Sequence, residues 1–174
     1  MVLGGGYPLG RIVNIVGDKS TGKTLLAIEA AANFKRTYPN GKIWYNETEA
    51  AFDLGYAEAL GMPVADIDFV EGCFTVEELF DSLEGIIKKA PSDAPGLYIL
   101  DSLDALSDKA EQERSIAEGS YGTGKAKQMS GLFRRLNKLL SGKKITVMII
   151  SQERDKIGIA FGRKTTRSGG RARS

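Results

Sequence analysis

The chain has 174 residues, 42% of them apolar and 26% charged, the balance of one soluble globular domain rather than of a disordered or fibrous chain. At this length about 70% of the unfolded surface can be buried, so a core needs no disulfide or metal, and the single cysteine, Cys73, has no partner within the chain. The sequence has no histidine, which excludes imidazole catalysis and histidine-ligated metals and leaves carboxylates, lysine and backbone amides as the chemical repertoire.

The net charge of +2 is unevenly spread. From Lys143 onward nine basic residues face two acidic ones, giving +7 there and leaving −5 for residues 1–142. A polyanion would be drawn to that end; the alternative is a solvated basic terminus. Residues 1–11 carry neither a basic leader nor a long apolar stretch, and no run of eighteen apolar residues occurs. The expectation is a cytoplasmic chain with no membrane partner.

Short β-branched runs alternate with helical stretches along the chain. Residues 11–16 read as a strand, and 24–36 as a helix with Leu25, Ile28 and Ala32 at inward spacing, ended by Pro39-Asn40-Gly41. A second strand is expected at 42–46, a helix near 52–60, and a short third strand at 67–70. Thr75-Val76-Glu77-Glu78 has the capping-box pattern and opens a helix with Leu79, Leu83, Ile86 and Ile87 on one face. Residues 97–101 form an apolar strand ending in Asp101, residues 102–124 read mostly as loop, a long helix covers 125–140, and 145–150 is a near-continuous buried strand. The last 24 residues show no period. Such alternation predicts an α/β fold, a mostly parallel central sheet with helices on both faces, whose ligands bind at the carboxyl ends of the strands.

At the first of those ends, Gly17-Asp18-Lys19-Ser20-Thr21-Gly22-Lys23-Thr24 matches G-x-x-x-x-G-K-[ST] between a strand and a helix. Glycines let backbone N–H groups turn inward around a phosphate, and the helix N-terminus adds partial positive charge. Lys23 then reaches the β- and γ-phosphates, and Thr24 offers a hydroxyl to Mg²⁺. Asp101 stands where a carboxylate would hold the metal's water shell, although an acid at a strand end also serves simply as a cap. Hydrolysis requires a group to orient water; Glu47 and Glu49 both follow the second strand, and pattern alone does not choose between them. Gln152 lies just past the strand 145–150, either against a γ-phosphate or facing solvent.

Residues 3–13, 17–24, 45–61, 97–106 and 151–170 together resemble the ATPase core of bacterial and phage RecA-type recombinases, colinearly over nearly the whole chain. The most specific segments are Glu49-Ala50-Ala51-Phe52-Asp53 with Tyr56 and Leu60-Gly61, and Gln152-Glu153-Arg154-Asp155-Lys156-Ile157-Gly158 with Phe161-Gly162, Thr165-Thr166 and Gly169-Gly170. The resemblance implies a P-loop NTPase fold of the RecA type, with a core at 1–152 and a basic, Gly-rich DNA-binding loop and chain end at 153–174. It implies ATP and Mg²⁺ as cofactors, Glu49 as the catalytic glutamate, Asp53 and Tyr56 at the adenine, and Gln152 as the γ-phosphate sensor. Tyr56 is alternatively a helix residue packing into the core. The second DNA-binding loop would span about 153–170, with Arg154, Lys156, Arg163, Lys164, Arg167 and Arg171 as its cationic contacts. The first would span about 113–122.

Three positions depart from the family pattern: Ser151 replaces a usual asparagine, Asp18 a frequent proline, and Glu113 and Glu118 make the first loop acidic. The family's N-terminal helix would precede Leu3, and further strands with lysines that reach the neighbour's ATP would follow Ser174. The expected function is therefore that of a DNA-dependent ATPase core of a recombinase, binding single- and double-stranded DNA and self-associating into a filament in the full-length family. Alone, the chain is expected to bind nucleotide without appreciable DNA-stimulated hydrolysis and to leave a sheet edge open beside 145–150 or its neighbour. The alternative is a RecA-fold regulatory ATPase acting on protein partners. A P-loop kinase ranks last, because no arginine-bearing lid is evident between Asp101 and Ile145.

Overall fold

Five apolar runs lie side by side as parallel strands in the order β1-β5-β4-β2-β3: β1 Ile12–Gly17, β2 Lys42–Glu47, β3 Ile67–Phe69, β4 Gly96–Asp101 and β5 Ile145–Asp155. A sixth strand, β6 Thr165–Arg167, pairs antiparallel with the far end of β5. The computed structural model describes residues 5–48, 52–107, 123–155 and 165–167, with backbone alone at 123–128, 153–155 and 165–167.

Because successive strand residues point to opposite faces, the buried runs feed two separate cores. Ile43, Tyr45, Leu97, Ile99, Met148 and Ile150 meet helix α1 (Lys23–Thr37) and α2 (Leu54–Ala59) on one face. Tyr98, Leu100, Val147 and Ile149 meet α3 (Val76–Lys89) and α4 (Thr123–Leu140) on the other. Strand β4 lies at the centre and is buried at every position, which explains its lack of alternation. The expected parallel sheet with helices on both faces is the fold observed.

The capping box is formed in full. Thr75 Oγ1 accepts from Glu78 N at 3.2 Å, while Glu78 Oε2 accepts from Thr75 N at 2.9 Å, satisfying donors that the first helical turn leaves open. Leu79, Leu83 and Ile87 are buried, with Ile86 half-buried beside them.

Some sequence expectations need correction. In α1 the buried residues are Lys23, Ala27, Ile28, Ala31 and Phe34, while Leu25 is 45% exposed. The run Leu25-Leu26-Ala27-Ile28 is apolar all round, so periodicity does not set its rotation. Helix α2 begins at Leu54, not Phe52, because Asp53 is extended and caps it, its Oδ1 accepting from Tyr56 N at 2.9 Å. Strand β5 continues five residues past Ile150. Its polar second half is held by β1, with Gly17 opposite Gln152, and then by β6, with Glu153, Arg154 and Asp155 opposite Arg167, Thr166 and Thr165. Gln152 therefore sits within a strand, and part of the segment expected to be aperiodic is a β-ladder. β5 lies inside the parallel sheet; the outer strands of that path are its neighbour β1 and, across the sheet, β3. Among the described residues no helix is long and apolar enough to cross a membrane.

Candidate nucleotide-binding site

The turn from β1 into α1 is shaped by two left-handed residues, Ser20 (φ 61°) and Gly22 (φ 83°). A side chain at Gly17 would bring its Cβ to 2.9 Å from Thr21 Oγ1, so the loop's first glycine answers to close approach, while the left-handed turn falls to Gly22. Two donors converge on the carbonyl of Asp18: Thr21 Oγ1 at 2.9 Å and Lys23 Nζ at 2.5 Å. The lysine is 9% exposed and lies folded against its own loop.

Thr24, the second residue of α1, donates from Oγ1 to Asp101 Oδ2 at 2.8 Å. The hydroxyl and the carboxylate, 77 positions apart, thus meet at the carboxyl ends of two strands. Hard oxygen donors on a hydroxyl and a carboxylate suit Mg²⁺, and together with the turned-in loop the donor set fits a metal-bound phosphate chain. A cavity of about 320 Å³ opens above them, lined by loop residues Lys19 to Thr24, Asp101, Ser102, Ile150 and Gln152.

Three residues unmarked by sequence reading complete this arrangement. Tyr45 donates from its hydroxyl to the same Asp101 Oδ2 at 3.0 Å. Burial, followed by the Asp101 charge, pushes its phenol far above the usual tyrosine range, so it remains a donor throughout the ordinary pH range. Thr48 clamps the ends of β2 and β4: its N–H donates to Asp101 O at 2.9 Å, and its hydroxyl accepts from Ser102 N at 2.9 Å and donates to Ser102 O at 2.8 Å. Asp104, in the 3-10 turn Leu103–Ala105, accepts from Gln152 N at 2.6 Å through Oδ2. The register carries a faint signal for Tyr45, since Glu47 lies opposite Asp101 and Tyr45 opposite Ile99, which makes Tyr45 and Asp101 diagonal neighbours on one face.

Among the described residues, the candidates Glu47, Asp53 and Tyr56 do not line the loop cavity. Glu47 lines a second cavity of about 300 Å³ with Tyr45, Thr48 and Phe69, apart from the loop. Glu49 falls outside the described residues. Asp53 serves as the α2 cap, and Tyr56 is 58% exposed, which removes the reading of Tyr56 as a core residue. Arg154 and Arg167 lie on the β5–β6 ladder, one position apart in register. Lys156, Arg163, Lys164 and Arg171 are outside the described residues, as is the first candidate DNA loop.

The family model for the RecA N-terminal domain matches residues 1–174. The chain belongs to the RecA family. It is 39% identical over 169 residues to Protein RecA of Mesoplasma florum, covering 97% of this chain and 48% of that protein. Protein RecA of Mycoplasma genitalium is 36% identical, with 97% of this chain and 47% of that protein covered. For Protein RecA of Oceanobacillus iheyensis the figures are 34%, 97% and 46%. The chain thus spans about half the length of these relatives.

Proposed function

We propose that this chain is the nucleotide-binding core of an ATP-dependent DNA recombinase, acting on single- and double-stranded DNA and working in a self-associated filament in the full-length family. The observation that carries this reading is the Thr24–Asp101 hydrogen bond of 2.8 Å at the floor of the loop cavity, with Gln152 on its wall. It supports a site in which backbone amides of Gly17 to Thr24 receive the phosphates of ATP and Lys23 turns from the Asp18 carbonyl to the β- and γ-phosphates. Thr24 and Asp101 would hold Mg²⁺, which when bound neutralises charge on the phosphoryl group. Glu49 orients the attacking water as general base. Asp53 and Tyr56 would contact the adenine, Tyr56 by stacking its exposed ring.

Gln152 senses the γ-phosphate, and the strand it occupies leads directly into the β5–β6 ladder. A shift of that strand reaches Arg154 and, across the ladder, Arg167, two of the cationic contacts, the others being Lys156, Arg163, Lys164 and Arg171. Those cations grip the DNA backbone by neutralising phosphates, and the reading carries with it a cytoplasmic location. The test is ATP turnover of the full-length protein with and without single-stranded DNA. Stimulation by DNA is expected. Nucleotide binding with turnover indifferent to DNA would overturn the recombinase reading in favour of a regulatory ATPase acting on protein partners.

A further inference from the structure

We infer that Tyr45 is a positioning residue for the metal-binding carboxylate, and that its hydroxyl sets how tightly the site holds a divalent cation. The inference rests on the Mg-nucleotide reading of the site and deepens it. Tyr45 is fully buried, and its hydroxyl and that of Thr24 converge on the same oxygen, Asp101 Oδ2, at 3.0 and 2.8 Å. Two donors on one carboxylate oxygen, arriving from different elements, restrain rotation of the carboxyl group about its last torsion. Phenylalanine would fill the same apolar position without placing a hydroxyl in the core, where an unpaired one is costly. The bond to Asp101 is therefore what the extra oxygen of tyrosine does here.

The ring of Tyr45 is itself fixed. Its centroid lies 4.7 Å from that of Phe52 and 5.9 Å from that of Phe69, both tilted against it. Phe52 is followed by Asp53, the cap of α2, so the aromatic stack ties the metal carboxylate to the element that carries Tyr56. Outer partners that orient a metal's ligands typically contribute a factor of about 10–100 to metal affinity. With Thr24 still in place, the lower end applies.

The experiment compares the full chain with Tyr45→Phe, which keeps the ring and removes the hydroxyl. ADP binding is measured by calorimetry, first in EDTA and then across a Mg²⁺ titration. The Mg²⁺ concentration giving half of the full affinity gain should rise about tenfold in the variant, while affinity in EDTA stays within about twofold of the parent chain. A purely structural role would lower the melting temperature without moving the Mg²⁺ midpoint, and an unchanged midpoint beside a responsive parent chain overturns the inference. A parent chain that binds no ADP, or binds it without any response to Mg²⁺, instead refutes the site reading beneath it. If Tyr45→Phe does not fold, the native sequence labelled with 3-fluorotyrosine decides. The Tyr45 fluorine resonance should shift when Mg²⁺ joins the ADP complex, and a resonance unmoved by Mg²⁺ overturns the inference.

Discussion

Lys23→Ala isolates the charge that the loop presents to phosphate. The ammonium group is held by the Asp18 carbonyl at 2.5 Å, within a site whose lysine is 9% exposed. At about 4 Å from a phosphate oxygen, and with the effective screening of a partly buried site, a unit charge contributes about 4 kcal/mol. Binding must first break the contact with Asp18, which offsets about 1–2 kcal/mol of that gain. The net loss on truncation is about 2–3 kcal/mol, or roughly 30- to 150-fold in the ADP dissociation constant. Stability should change by less than about 1 kcal/mol, because the removed ammonium bonds only a carbonyl in an exposed loop and the stem is the sole packing lost. Calorimetric titration at fixed Mg²⁺, with a thermal melt beside it, measures both quantities. A folded Lys23→Ala variant binding ADP within about threefold of the parent would refute the assignment of this loop to the phosphates.

Glu49→Gln should leave nucleotide binding intact and slow hydrolysis by the full-length protein by about two to four orders of magnitude; the same loss from Glu47→Gln alone would transfer the role to Glu47. Thr75→Ala removes one side of the capping box and should lower unfolding free energy by about 1 kcal/mol in urea denaturation, with ADP affinity unchanged. Burial pushes the Cys73 thiol up from 9.0 to about 11. Between those values the unfolded chain has released a proton that the folded one keeps, so stability present below pH 9 is lost as pH rises toward 11, by roughly 1–3 kcal/mol. The parent should therefore lose stability over that window more steeply than Cys73→Ala, and its thiol should react slowly with Ellman's reagent at about pH 8. Single-stranded DNA affinity should fall with salt at a log-log slope of about −0.7 per phosphate contact; affinity independent of salt, or unchanged after deleting residues 159–174, would remove DNA from this segment.

The phosphate loop is legible in the sequence because its chemistry is contiguous: eight residues carry the turn, the lysine and the hydroxyl, and Gly17 and Gly22 are demanded by local sterics. The same holds for the capping box, which closes over four residues, and for the central strands, whose apolar runs are long enough to state that both faces are covered. The family resemblance rests on such local words; Asp101, read from its place at a strand end, and Gln152, given its role by the resemblance, both line the loop cavity. The rotation of α1 is not legible, since its run Leu25 to Ile28 is apolar all round and is oriented only by the sheet it meets. Nor is the polar half of β5, whose ladder with β1 and β6 depends on backbone pairing that leaves no trace in hydropathy. Sequence by itself thus determined parts whose physics runs through neighbours in the chain: the loop, the capping box of α3 and the buried strands. Tertiary structure alone decided that Thr24 and Tyr45 meet on one oxygen of Asp101, 77 and 56 positions away, because strand register and a two-residue pleat, not proximity in sequence, bring those three side chains to one face.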